Sequence, residues 1–148
     1  MAEHDALGVV AGYVVCNDVS ARRWQGKRGG GQWARAKSFD TFTPTGPFLL
    51  LSRTDGHRPI DPSGLRLRTV LNEQLMQESS TSDMIFGVAS LISFASQCTT
   101  LLPGTLLLTG TPSGVGYTRD PAVYLRHGDT VTVSIENIGS LRNPVTFE

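Results

Sequence analysis

Two segments of the 148-residue chain concentrate side chains that could do chemistry. The first, NDVSAR at residues 17–22, closes an apolar run and puts Asp18 at its edge. A carboxylate there is either a cap or turn residue or a ligand facing a cleft. Local grounds favour the cap, because Asp and Ser routinely end strands and begin helices. The second, TGTPSGVG at residues 109–116, has glycines and hydroxyls that would let backbone N–H groups approach an anion closely. A tight loop needing unusual backbone angles explains the same residues and is locally the simpler account. It is not a nucleotide-binding P-loop, since no Gly-Lys-Ser/Thr ending follows.

Lys37, between Ala36 and Ser38, reads by itself as a solvated surface residue. His4, His57 and His127 have no mutual metal-ligand spacing and are given no catalytic part. Trp24 and Trp33 flank the glycine-rich stretch 26–31 and could line a pocket, with packing the commoner use.

The elements that must position these residues are mostly strands. Residues 9–17 form a β-branched run of strand length, and residues 48–52 form a second apolar run behind a Pro-Thr-Gly-Pro turn. Residues 65–71 alternate, with Leu65, Leu67, Thr69 and Leu71 on one face, and Asn72-Glu73 turns them into a short partner at 75–77. Leu91, Phe94, Ala95 and Cys98 fall at helical spacing, which predicts one helix over 90–98. Pro103-Gly104 leads into a short strand at 105–109. After the turn His127-Gly128-Asp129, the alternation of Val131, Val133 and Ile135 predicts a strand, and residues 138–140 reverse it into a hairpin with 141–147.

The expectation is one mainly β (α+β) domain over residues 1–148. A hydrophobic content of 39% with 18% charge describes a globular chain, since disorder needs fewer apolar residues and a larger net charge. Thirteen basic residues balance thirteen acidic ones, which argues against a nucleic-acid or anionic-membrane binder. Cys16 and Cys98 sit in apolar runs and read as buried free thiols. No stretch reaches membrane-span length and the N-terminus lacks a signal-peptide pattern, so a cytoplasmic location is expected.

Taken in order, VAGYVVCNDVSAR, Gln25, AKSFDTFTPTGP, SDMIF, LLPGTLLLTGTPSGVG, HGD and IGSLRNPV resemble the fumarylacetoacetate hydrolase family. The resemblance runs from about residue 6 to residue 146. It implies a mixed β-roll with one or two short helices, usually assembled as a homodimer. It implies Mg²⁺ or Mn²⁺ bound by Asp18, hard cations that suit oxygen ligands. Arg22 and Gln25 are then expected near metal and substrate, and Lys37 is expected to stabilise negative charge on the substrate. Thr111, with Gly110 and Pro112, is expected to touch a substrate carboxylate.

The implied substrates are small keto-acids: acylpyruvates, 1,3-diketo acids or oxaloacetate, cleaved, decarboxylated or tautomerised through an enolate beside the metal. Family members carry a Glu-x-Glu pair upstream of the aspartate that completes the metal site. Glu3 and Asp5 are not accepted as replacements, so the chain reads as N-terminally truncated and its metal as weakly held. The general base that some members carry in an N-terminal lid is likewise missing from this reading. The alternative is a catalytically inactive member serving as a non-catalytic or oligomerisation domain. Arg23 also departs from the family, where an acidic residue commonly follows the motif arginine.

Overall fold

The computed structural model describes residues 1–52 and 60–147, so His57 lies outside the described residues. Two antiparallel sheets carry the architecture. The smaller pairs β1 (Gly12–Cys16) with β2 (Thr45–Leu51), with a register shift between Tyr13 and Val15. The larger has the order β4-β3-β5-β6, built from β3 (Arg66–Leu71), β4 (Gln74–Ser80), β5 (Thr130–Ile135) and β6 (Gly139–Pro144).

The predicted alternation explains why the larger sheet faces the smaller one. Val131 and Val133 stand opposite Asn143 and Leu141, and with Val15, Leu65, Ile138 and Leu141 they form the core. Tyr13 and Leu50 cover that cluster from the smaller sheet. Burying such a set drives the sheets together at roughly 25 cal/mol per Å² of apolar surface. Asn72 and Glu73 both take positive φ, at 51° and 74°, which is the backbone of a two-residue hairpin turn matched to strand twist. Its partner strand is longer than the predicted 75–77. The β5–β6 turn occupies residues 136–138, slightly earlier than expected, and buries Ile138.

Among the described residues four α-helices are present: α1 (Glu3–Ala6), α2 (Arg22–Gln25), α3 (Trp33–Lys37) and α4 (Val88–Ala95). Only α4 was predicted; the other three span four or five residues, too few for a 3.6-residue period to register. Short 3₁₀ turns at Leu7–Val9 and Lys27–Gly29 trim the first expected strand and order part of the glycine-rich loop.

Two expectations are corrected. Residues 105–109 form no strand: Leu106, Leu107 and Leu108 are exposed, and no described strand lies beside them to complete a ladder. Cys98 is exposed, because α4 ends at Ala95 and the chain leaves the helical face, with Cys98 at φ 57°. Cys16 is half-buried. Both thiols are free. Among the described residues no helix is long and apolar enough to cross a membrane.

Candidate functional site

At the end of β1 the chain turns out of the sheet, and Asn17 N–H still donates to Pro44 O at 3.1 Å. This leaves Asp18 beyond the ladder, free of strand pairing. Ala21 N–H donates to Ala36 O at 2.9 Å, tying the start of α2 to the end of α3. That one backbone bond brings Lys37 back over the NDVSAR segment, nineteen residues from Asp18 in sequence.

The result is a polar cluster. Lys37 Nζ donates to Asp18 Oδ2 and, at 3.0 Å, to Ser20 Oγ, while Ser20 Oγ donates to Asp18 O at 3.2 Å. The Lys37 and Asp18 side chains keep 28% and 26% of their exposure, so the pair is partly desolvated and opens toward solvent. Asp18 therefore does not cap a helix: α2 begins at Arg22, and its N-cap residue Ala21 makes no side-chain cap bond.

Two buried acceptors of the segment from Asp18 to Gln25 are unsatisfied: Asp18 Oδ1 and Gln25 Oε1. Leaving a buried oxygen unpaired is costly, and native folds rarely tolerate it without a ligand, ion or water. A carboxylate oxygen with no donor fits a hard divalent cation. Among the described residues, however, no group of three or more His, Cys, Asp or Glu assembles. Asp18 fits a metal as one ligand, short of a three-residue ligand set among the described residues. The Asp18 charge is also felt by Cys16, whose thiol is pushed up chiefly by burial and further by Asp18, against a lowering hydrogen bond from Thr45.

A contact links the end of the first motif to the residue that follows the second. The Arg22 guanidinium lies 4.4 Å from the centroid of the Tyr117 ring, a cation–π distance. Tyr117 directly follows TGTPSGVG and received no part in the sequence reading; its place after an anion-type loop was the available signal. The loop itself is pinned to β4. Gln77 Nε2 donates to Pro112 O at 2.9 Å, and Arg119 donates to Gly114 O at 3.2 Å and to Met76 O. Gly114 has φ 93°, and a Cβ there would run into the Met76 carbonyl oxygen, so glycine is required. Thr111 is exposed and Gly110 takes φ 131°. Neither makes a side-chain contact with the Asp18–Lys37 pair among the described hydrogen bonds.

Aromatic residues complete the surroundings. Trp24 meets Phe39 edge-on at 5.9 Å, and Phe39 meets Phe42 at 5.4 Å. With Ala21, Arg22 and Arg23 they line an open concavity of about 380 Å³. Trp24 thus lines a pocket, whereas Trp33 is largely exposed. His127 accepts the Phe147 N–H at 3.1 Å, in keeping with its turn position, and His4 lies in exposed α1.

Comparisons with known proteins bear on the family and the fold. Residues 1–146 match the family model described as the C-terminal part of fumarylacetoacetate (FAA) hydrolase. The chain is 46% identical over 143 residues to a relative from Xenopus laevis named oxaloacetate tautomerase fahd2, mitochondrial, covering 97% of this chain and 44% of the relative. The fumarylacetoacetate hydrolase of Exiguobacterium antarcticum superposes with a TM-score of 0.91 at 37% identity, over 100% of this chain and 51% of that one. The maleylpyruvate hydrolase of Sphingobium sp. SYK-6, solved in complex with manganese(II) ion and pyruvate, superposes with a TM-score of 0.81 at 29% identity, over 99% and 48%. The chain spans about half the length of the curated relatives it matches. Its mainly β fold, its motifs in order and its match from end to end show that this chain belongs to the fumarylacetoacetate hydrolase family.

Proposed function

We propose that this chain supplies the Asp18–Lys37 half of a keto-acid site whose chemistry proceeds through an enolate, on an acylpyruvate, a 1,3-diketo acid or oxaloacetate. The observation that carries this reading is the unsatisfied, buried Asp18 Oδ1 beside an ammonium that already occupies Oδ2. A cation is drawn to the first oxygen, and a developing oxyanion is drawn to the second partner. The manganese and pyruvate held by the Sphingobium relative, and the oxaloacetate tautomerase name of the Xenopus one, support the same substrate class.

Mg²⁺ or Mn²⁺ held by Asp18 would supply Lewis-acid stabilisation of negative charge on the 2-oxo acid. The protein residues do the rest. Lys37, fixed by Asp18 and Ser20, presents a preorganised positive charge where an enolate oxygen develops. Arg22, laid on the Tyr117 ring, offers its N–H edge to a substrate carboxylate. Gln25 Oε1 accepts from a substrate hydroxyl or a bound water. Thr111, with Gly110 and Pro112, is assigned the contact with a substrate carboxylate on the strength of the motif. Exposed Phe48, Leu49 and Leu51 on β2, and exposed Leu106, Leu107 and Leu108, support burial of apolar surface against another polypeptide, and a homodimer is the proposed form. The expected cytoplasmic location is set against relatives whose names place them in mitochondria.

A second reading has an observation of its own: the described residues assemble no group of three or more His, Cys, Asp or Glu that could hold a metal. A non-catalytic domain would then bind a keto-acid without needing metal. Calorimetric titration of Mn²⁺ into EDTA-stripped protein, with and without oxalate as an enolate mimic, separates the two. Mn²⁺ binding tightened by oxalate and lost in Asp18→Ala is the expected result. Oxalate or pyruvate binding indifferent to EDTA and to Asp18→Ala would overturn the metal-site reading.

A further inference from the structure

Residues 105–109 have the composition of a strand and form an open edge. The run Thr105-Leu106-Leu107-Leu108-Thr109 contains no helix, turn or bend, and Gly104 and Gly110 bracket it with φ of 85° and 131°. Thr105 N–H donates back to Leu102 O at 3.0 Å. From Leu106 to Thr109 no backbone N–H or C=O has a partner among the described hydrogen bonds. All three leucines are exposed.

Open edges are templates for pairing with another chain, and proteins that stay alone blunt them with lysine, proline or a covering loop. From Gly104 to Thr111 this run has neither lysine nor proline. Residues 84–118 contain no Asp, Glu, Lys, Arg or His at all. Within that stretch Ile85, Phe86, Phe94 and Leu102 are exposed as well. Charge depletion combined with large exposed apolar side chains is the composition of an interface core, not of a solvated surface.

The area agrees. The chain exposes 10537 Å², whereas a folded monomer of its 16.0 kDa exposes about 7,400 Å². A stable dimer needs roughly 800 Å² from each partner, so the excess is more than one such interface requires.

The order of residues identifies the occupant. Thr-Leu-Leu-Leu-Thr reads the same in both directions, and an antiparallel partner presents its residues in reverse. A second copy related by a two-fold axis at Leu107 therefore sets Thr against Thr and Leu against Leu at every position. Hydroxyl pairs and apolar pairs are favourable across strands, and no two charges are opposed. Self-complementarity of this kind is what a two-fold interface demands.

We propose that two copies of this chain associate through residues 105–109 as an antiparallel intermolecular ladder centred on Leu107. The assignment rests on the homodimer reading above and adds its surface and its symmetry. It places the contact on this run and not on Phe48, Leu49 and Leu51, whose strand already has a ladder to β1.

The test is sedimentation of the full chain at micromolar concentration, with circular dichroism to check that each variant is folded. The parent is expected at twice the chain mass. Leu107→Lys and Leu107→Glu each set two like charges face to face on the axis and should weaken association about a hundredfold or more. Mixing the two variants opposes an ammonium to a carboxylate and should restore the dimer, a rescue open only to a residue that meets its own copy. Phe48→Lys adds the same charge to β2 and should leave the dimer intact. Leu107→Cys in a Cys98→Ser background should form a disulfide between copies under mild oxidation, since opposed residues of an antiparallel pair lie about 4.5–5.5 Å apart.

A parent that sediments as a monomer overturns the ladder and the homodimer reading together. A dimer that survives both charged Leu107 variants, separates in Phe48→Lys, fails to return in the mixture or forms no Leu107→Cys disulfide overturns the ladder and leaves the homodimer standing. A mass above two copies overturns the closed two-fold pairing.

Discussion

The four-stranded sheet and the segment from residue 17 to residue 44 are built on different principles. In the sheet, each of β3, β4, β5 and β6 is fixed by a continuous antiparallel ladder, and its inner face buries Val131, Val133 and Leu141. In the segment, two helices of four and five residues are joined by a 3₁₀ turn and held by a few polar contacts: Ala21 to Ala36, Lys37 to Asp18, Lys37 to Ser20. The sheet satisfies nearly everything it buries, whereas the segment leaves Asp18 Oδ1 and Gln25 Oε1 unsatisfied. A region stabilised mainly by packing can be specified without a ligand. One that retains unpaired buried acceptors and gathered positive charge is specified for something that binds there.

The contrast can be broken first in the sheet. Leu141→Ala removes a core side chain and should cost about 2–4 kcal/mol of stability, read from the urea midpoint. Below the transition, oxalate-dependent Mn²⁺ binding should persist; its loss in fully folded variant protein would mean the two regions are not separable. Gly114→Ala acts where they meet, since that loop rests on β4. The left-handed backbone and the collision with Met76 O predict a loss of about 1–3 kcal/mol, together with weaker ligand binding. Loss of stability with ligand affinity intact would remove the 109–116 loop from the site.

The smallest effect lies in the hairpin turn. Hydrogen bonds from the Asn72 side chain, and then from Arg126 N–H, hold the Asp129 carboxyl below its ordinary value. A depressed carboxyl contributes stability above its unfolded pKa and loses it as pH falls through the lowered folded value. The melting gap between parent and Asn72→Ala should therefore be present at neutral pH and shrink as pH drops below the usual carboxylate range. A gap constant across that range would assign it to turn geometry alone.

Much of the sheet was legible because its signals are local. The alternation at residues 65–71 and 130–135 has a period of two, and Asn72-Glu73 carries turn chemistry, so strands and hairpins follow without tertiary knowledge. Residues 105–109 show the limit: a leucine run of strand composition forms no strand unless another strand lies beside it. Cys98 shows another, since helical spacing counted it onto a face that the helix does not reach.

For the site, residue types and motif order determined the family and singled out Asp18, Arg22, Gln25 and Lys37, because those motifs are contiguous in the chain. Only the tertiary structure decided what they become together. The Ala21–Ala36 bond closes the segment and turns a surface lysine into the partner of Asp18. In the same region Arg22 is stacked on Tyr117, ninety-five positions away, and Arg23 lines an open concavity with Trp24, Phe39 and Phe42. Contacts across such separations depend on how strands return through a shared core, and no local propensity encodes the direction in which a loop beyond the ladder will fold back.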